Sequence, residues 1–233
     1  MKETLTDSIH DRAAWLSRRR MGLGASDAAA AIGVSKWKSN VTLWEEKCGI
    51  REPDDVSDQA AVDRGIREEP GIRAMFAAMH PEFLVYYKPF DLLRHPEDTW
   101  RLATLDGRLY NPGDQMRGYQ GPYGVLEIKT TEFRTRASIE EWRGRVPTQY
   151  LAQVLHQMAV TGAEFAILFA LIHCPDSATG RVAECREYRF DRADYADQIA
   201  WLVERERAFW RCVETRTEPP LILPDPEPRS RQP

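Results

Sequence analysis

The chain has 233 residues, 42% of them hydrophobic, and a formal net charge of −4. That length suits one domain of ordinary size with appendages and is enough to bury a core. The acidic balance excludes a protein that coats nucleic acid over its whole surface, so any such contact is a local patch. No run of about 18 apolar residues occurs, and Met1-Lys2-Glu3-Thr4 opens no apolar signal segment. No membrane span and a cytoplasmic location are expected. Cys48, Cys174, Cys185 and Cys212 form no C-x-x-C pair. They read as free core thiols, although a hairpin can set Cys174 opposite Cys185.

Residues 8–20 read as a helix ending in Arg18-Arg19-Arg20. A glycine-rich turn, Met21 to Asp27, follows. Ser26 is placed to cap an alanine-rich helix over 27–32 that Gly33 stops, and Ser39 to cap the next helix. A longer helix is expected over 58–79, with Pro70 as a source of a kink. Aromatic and β-branched texture then predicts strands at 83–93, 99–110 and 124–131, with a long connection over 111–123. Helix returns at 147–161. Residues 165–173 and 181–190 make a hairpin, and 192–215 a final amphipathic helix. Residues 1–218 are expected to form one domain and the proline-rich 219–233 a poorly ordered tail. The order predicts an α/β (α+β) fold, a central mixed β-sheet flanked by helices.

The chemistry concentrates in Gly124-Val125-Leu126-Glu127-Ile128-Lys129-Thr130. Side chains two apart on a strand share a face, so Glu127 and Lys129 point together, about 7 Å apart along the strand. Asp106 lies at or near another strand. If the two strands pair, two carboxylates and an ammonium converge. The carboxylates alone repel, and a divalent cation removes the conflict. Lys129 can then stabilise a developing oxyanion or orient water, as phosphodiester hydrolysis requires. On spacing alone a surface ion pair on an edge strand fits as well.

Three other segments carry chemistry. Glu69 in Gly65-Ile66-Arg67-Glu68-Glu69 is either a further carboxylate for a cation or a solvated helical charge. Tyr150, Gln153 and Gln157 share a helical stripe that either faces solvent or faces the catalytic strands. Arg20, the glycine-rich turn and Ser26 supply the parts of a phosphate site, or form a capped turn.

Taken in register, six segments resemble the YqaJ-type viral recombinases, the group that includes phage lambda exonuclease within the PD-(D/E)xK nucleases. They are Arg20-x-Gly22 with Ala25-Ser26-Asp27; Trp44 to Gly49; Gly65-x-x-x-Glu69; Leu105-Asp106-Gly107; Glu127-Ile128-Lys129-Thr130; and Tyr150 to Thr161. The resemblance implies a restriction-endonuclease-like PD-(D/E)xK core. It also implies 5′→3′ exonuclease action on double-stranded DNA ends with Mg2+, as two ions that Mn2+ can replace. Asp106, Glu127, the Ile128 carbonyl and Glu69 are then the metal ligands. Lys129, Glu127, Asp106, Gln153 and Tyr150 form the catalytic set, and Arg20 and Ser26 hold a 5′-phosphate. A phage single-strand annealing protein as partner, a homotrimer and a phage or prophage origin in a bacterial cell are implied as well. The same residues also suit an endonuclease or flap nuclease, or a non-catalytic DNA-end-binding protein. Leu105 stands where the family often has proline, which contacts no metal. In the long connection, Arg117 and Tyr119 are expected to reach DNA.

Overall fold

The computed structural model describes residues 5–7, 9, 11–54, 59–115, 123–133, 135–174 and 183–223. The chain begins β1 (Leu5–Asp7), α1 (Arg12–Arg20), β2 (Leu23–Gly24), α2 (Ala25–Ala31), α3 (Asn40–Lys47) and α4 (Ala60–Met79). It continues β3 (Leu84–Tyr86), β4 (Leu92–Arg94), β5 (Arg101–Ala103), β6 (Gly107–Tyr110) and α5 (Pro112–Gln115). Then come β7 (Gly124–Glu132), α6 (Arg136–Glu141), α7 (Thr148–Thr161), β8 (Phe165–His173), β9 (Ala183–Asp191) and α8 (Ala196–Glu214). Among the described residues no helix is long and apolar enough to cross a membrane.

Two sheets form, one ordered β1-β4-β5-β2 and one ordered β3-β6-β7-β8-β9. The larger is mixed, because β7 and β8 run parallel while its other neighbours run antiparallel. The strand expected over 83–93 is in fact two short strands, β3 and β4, in different sheets. The chain breaks between them where Phe90 takes φ 58°, a left-handed conformation that no strand accommodates. The strand expected over 99–110 divides likewise into β5 and β6. Residues Thr104 to Asp106 carry the chain from the small sheet to the large one, so Asp106 sits at the seam.

Strand β7 is buried on both faces from Gly124 to Ile128. Leu126 and Ile128 pack with Ile72 and Phe76 of α4. On the opposite face, Val125 joins Val154, Leu155 and Met158 of α7, and the same cluster takes in Leu93, Ala103 and Leu105 from the small-sheet region. Helix α7 is thus held between the two sheets. His156 at its centre is fully buried; Nε2 donates to the Leu102 carbonyl at 2.9 Å, and Nδ1 lies 2.6 Å from Glu206 Oε1 of α8.

Local chemistry explains the short helices. Ser39 Oγ accepts from the Thr42 N–H at 3.0 Å, as its capping position predicts. Ser26 does not cap: α2 starts two residues earlier than expected, after Gly24, and Asp27 Oδ2 accepts the Gly24 N–H at 3.1 Å. Asp27 is also 2.7 Å from Lys47 Nζ, joining α2 to α3. Burial opposes its ionisation, but Lys47 and Arg19 outweigh that and hold its carboxyl below the usual range. Helix α4 continues through Pro70. Cys48 alone among the four thiols is buried; none of the four is in a disulfide, and Cys185 stands opposite Leu171 in the hairpin, not Cys174. The tail begins in a fixed place: buried Asn40 donates to the Pro220 carbonyl at 2.9 Å and accepts the Ile222 N–H at 3.0 Å. Residues 224–233 and Arg117 and Tyr119 lie outside the described residues.

His80 ends α4 with Nδ1 2.9 Å from Glu82 and Nε2 2.8 Å from Glu187 of β9. Burial lowers its pKa, but the bonds to Glu82 and Glu187 outweigh that and raise it. A raised histidine contributes stability that is complete below its ordinary value near 6.5 and is lost as pH rises through the folded-state value. His80→Phe is therefore expected to lower stability at pH 6 and to cost less at pH 9. Urea unfolding at both pH values measures this, and equal losses would remove the ionic role.

Candidate active site

Pairing of β6 with β7 sets Gly107 opposite Leu126, so Asp106 arrives beside Glu127 and Ile128. Asp106 Oδ2 accepts the Ile128 N–H at 2.7 Å. Glu127 is 2% exposed. Its Oε1 takes a hydrogen bond from Gln153 Nε2 at 2.6 Å and lies 2.6 Å from Lys129 Nζ. Its Oε2 takes one from Gln157 Nε2 at 2.5 Å. Lys129 Nζ also donates to Gln153 Oε1 at 2.9 Å. The polar stripe of α7 therefore turns Gln153 and Gln157 toward β7, not solvent.

Asp106, Glu127, Ile128, Lys129 and Gln153 line a cleft of about 480 Å3, which Glu69, Arg19, Ser26, Trp15 and Phe90 also line. Glu69 accepts from Arg73 Nη2, and Arg73 Nε donates to the Asp106 carbonyl at 2.6 Å while its guanidinium sits 3.5 Å from the centre of the Tyr87 ring. Burial, then Glu127 and Glu69, push the Asp106 carboxyl well above the usual range. Burial, outweighing Arg73, also raises Glu69, with Glu127 adding to it. Burial lowers the Lys129 pKa, but Glu127 and Asp106 overcome it and hold the ammonium above its ordinary value. Lys129 therefore presents a charge and a hydrogen-bond donor to Glu127 and Gln153.

The structure brings together Asp106, Glu127, Lys129, Gln153 and Glu69 as the sequence predicts. Tyr150 stands behind Lys129, its ring centre 5.0 Å from Nζ. It backs the ammonium and is not among the cleft-lining residues. The structure does not bring Arg20, expected at a phosphate pocket, to the cleft. It is exposed, 3.6 Å from Glu52, while Arg19 lines the cleft and its Nη2 donates to Ser26 Oγ. Successive helix residues diverge by about 100°, whereas Trp15 and Arg19, four apart, share the cleft face. One further residue, Arg73, escaped the sequence reading; its signal was the i,i+4 spacing from Glu69. Gln157, on the stripe with Tyr150 and Gln153, bonds Glu127 directly.

Whether this donor set suits a cation is a matter of its chemistry. Asp106, Glu127 and Glu69 are three carboxylates lining one cleft, hard oxygen ligands of the kind divalent ions take. Among the described residues no three such side chains form a ready cage. The hydrogen bonds say why: Gln153, Gln157 and Lys129 engage Glu127, Arg73 engages Glu69, and the Ile128 N–H engages Asp106. The residues fit a cation that exchanges for some of these partners.

Comparison with known proteins places this geometry. Residues 14–164 match the family model described as the YqaJ-like viral recombinase domain. The chain belongs to that family. The YqaJ-like segment spans every cleft residue named above. The uncharacterized protein YqaJ of Bacillus subtilis (strain 168) is 32% identical over 160 residues, covering 68% of this chain and 45% of that protein. The chain thus matches less than half the length of this relative. Among solved structures, an alkaline exonuclease from Laribacter hongkongensis aligns with a TM-score of 0.62 at 23% identity, covering 89% of this chain and 95% of that one. A phage-related exonuclease from Haemophilus somnus 129PT aligns at 0.51 and 11% identity, covering 84% and 96%. The YqaJ-like chain therefore shares its fold with these two structures, with the mixed sheet and flanking helices expected from its sequence.

Proposed function

We propose that this chain is a divalent-metal-dependent DNA exonuclease that degrades double-stranded ends 5′→3′. The observation that carries this reading is the meeting of Asp106, Glu127 and Lys129 in one cleft with the Arg19–Ser26 pair. Asp106, Glu127 and Glu69 would hold the cation, with the Ile128 carbonyl as the expected backbone ligand. Mg2+, as a pair of ions, is the expected metal and Mn2+ its substitute. Such a cation, when bound, polarises the phosphoryl oxygens and lowers the pKa of water. Gln153 and Gln157 fix both oxygens of Glu127, and Arg73 fixes Glu69. Protonated Lys129 donates to charge that develops on the scissile phosphate. Arg19 and Ser26, in place of Arg20 and Ser26, take the terminal phosphate. The family resemblance extends the reading to a homotrimer acting with a single-strand annealing protein in the bacterial cytoplasm.

The deciding experiment offers purified protein with Mg2+ both a linear 5′-phosphorylated duplex and a covalently closed circle. Loss of the linear substrate from its 5′ ends, with the circle intact, is expected. Cleavage of the circle makes the protein an endonuclease instead, and survival of both across a range of divalent metals would sink the nuclease reading. End preference separates the two arginines. Arg19→Ala is expected to lower the preference for phosphorylated over hydroxyl ends about tenfold, the scale of one charge-assisted contact, while Arg20→Ala leaves it unchanged. The opposite pattern would return the role to Arg20.

A further inference from the structure

A second cavity lies outside the cleft and shares no lining residue with it. Its volume of about 1230 Å3 is ample for a small-molecule ligand. The residues that follow α2, the turn into α7 and one face of α8 line it, together with Pro219, Pro220, Ile222 and Leu223. The C-terminal segment is held in that wall. Asn40 bonds both Pro220 and Ile222, and Ile222 packs so closely on Gly33 that a Cβ there would lie 2.4 Å from its Cγ2.

The lining is locally positive in a chain of net charge −4. Glu141 is the one carboxylate among the described lining residues, and Lys36 pairs with it. Arg145 and Arg205 are both exposed, and among the described residues neither has a carboxylate within ion-pair distance. Gln149 adds a buried group. It lines the cavity at 7% exposure, and among the described residues its side-chain amide makes no hydrogen bond. A buried amide without a partner is costly, and a ligand that bonds it removes the cost.

Thr148 and Gln149 open α7, a helix of 14 residues, and the first N–H groups of a helix have no acceptor within it. Pro147 supplies no side-chain cap, and no acidic residue stands in the first turn. The positive end of the helix dipole is thus left uncompensated by its own sequence. Free helix amides, a buried carboxamide and two guanidiniums suit an anion with several oxygens, as a phosphate has. Much of the remaining lining is apolar, with Ile32, Val34, Val146, Phe209 and the half-exposed Trp201. The anion therefore comes on an apolar or flat body.

We propose that this second cavity binds a phosphomonoester of mononucleotide size, its phosphate held by the first turn of α7 with Gln149, Arg145 and Arg205. Exonuclease action releases molecules of this class. That source rests on the nuclease reading; the binding site does not.

The test is equilibrium dialysis of deoxyadenosine monophosphate against the full chain carrying Arg19→Ala, which silences the phosphate contact of the cleft, in EDTA. Saturable binding is expected, about tenfold tighter than that of inorganic phosphate in competition, because the body buries apolar surface. Adding Arg145→Ala or Arg205→Ala should weaken it about tenfold, the scale of one charge-assisted contact. Adding Trp201→Ala should remove the advantage of the nucleotide over phosphate. All three residues are at least partly exposed, so the variants are expected to fold, and their melting temperatures check this. No saturable binding, full-strength binding in both arginine variants, or phosphate bound as tightly as the nucleotide overturns the assignment. Wild-type digestion of duplex DNA with Mg2+, run in parallel, reports on the nuclease reading separately. Binding without digestion keeps the site and removes the nuclease; digestion without binding does the reverse.

Discussion

Lys129→Ala is expected to lower DNA digestion by about 10³-fold, the upper range for removing one aimed electrostatic donor. Lys129 Nζ is 2.6 Å from Glu127 and 2.9 Å from Gln153 Oε1, in a cleft where Glu127 and Glu69 help raise the Asp106 carboxyl. Truncation takes away the one ammonium and leaves the carboxylates facing each other. Breaking a buried ion pair by removing one partner costs about 3–5 kcal/mol, and Lys129 is buried enough for the lower part of that range. The variant should therefore be folded but melt earlier, and a divalent cation should restore part of the loss. Lys129→Arg should recover stability more than turnover, because a planar fork does not replace a point charge behind which Tyr150 is packed. Single-turnover digestion and thermal unfolding with and without Mg2+ measure both effects. Turnover within tenfold of the wild type would remove Lys129 from the chemistry.

The second large effect runs in opposite directions for activity and stability. Asp106 carries a carboxyl whose pKa is raised by burial and then by Glu127 and Glu69. A carboxyl raised in the folded state holds its proton more tightly there than in the unfolded chain. As pH climbs from about 3.9 through the raised value, ionisation increasingly opposes the fold. Asp106→Asn removes that opposition, so the metal-free variant should melt higher than the wild type at pH 7–8 while digestion falls at least about a hundredfold. A ligand at a hundred times its Kd stabilises by about 2.7 kcal/mol, worth roughly 5–10 °C in a chain of this size. The wild type should show such a gain with Mg2+, and Asp106→Asn should show little of it. An equal gain in both proteins would take Asp106 out of the metal site.

How much of this was legible in the sequence depends on the range of the forces involved. The period-two pattern of residues 124–130 placed Glu127 and Lys129 on one face, and the α7 stripe grouped Gln153 with Gln157 while leaving solvent or strand as the facing side, because both periodicities are local. What failed was non-local or fine-grained. Residues 83–93 and 99–110 keep a strand-like texture throughout, so nothing in them announces a change of sheet. The break at Phe90 is a left-handed residue where sequence alone would look for glycine. Arg19 and Arg20 are neighbours of the same type, and only the facing direction of α1 separates a cleft residue from a solvated one. Ser26 has the right side chain for a cap, but the helix begins before it, and Asp27 does the capping. His156 meets Glu206 across 50 positions of sequence, a pairing only the packed helices reveal.

The seam at Asp106 has one more consequence. Its carboxylate is mounted where one sheet hands the chain to the other, while Glu127 and Lys129 belong wholly to the larger sheet. The spacing of the reactive groups is thus a relative coordinate between two bodies, clamped through α7 by the contact of His156 with Leu102. A substitution in the small sheet, remote from the cleft, can shift that coordinate by a fraction of an ångström without melting either body. Such variants would look well folded in every bulk measurement and still be slow. Screens that sort by expression or melting temperature would pass them, and only a kinetic assay would register that the two halves had drifted out of alignment.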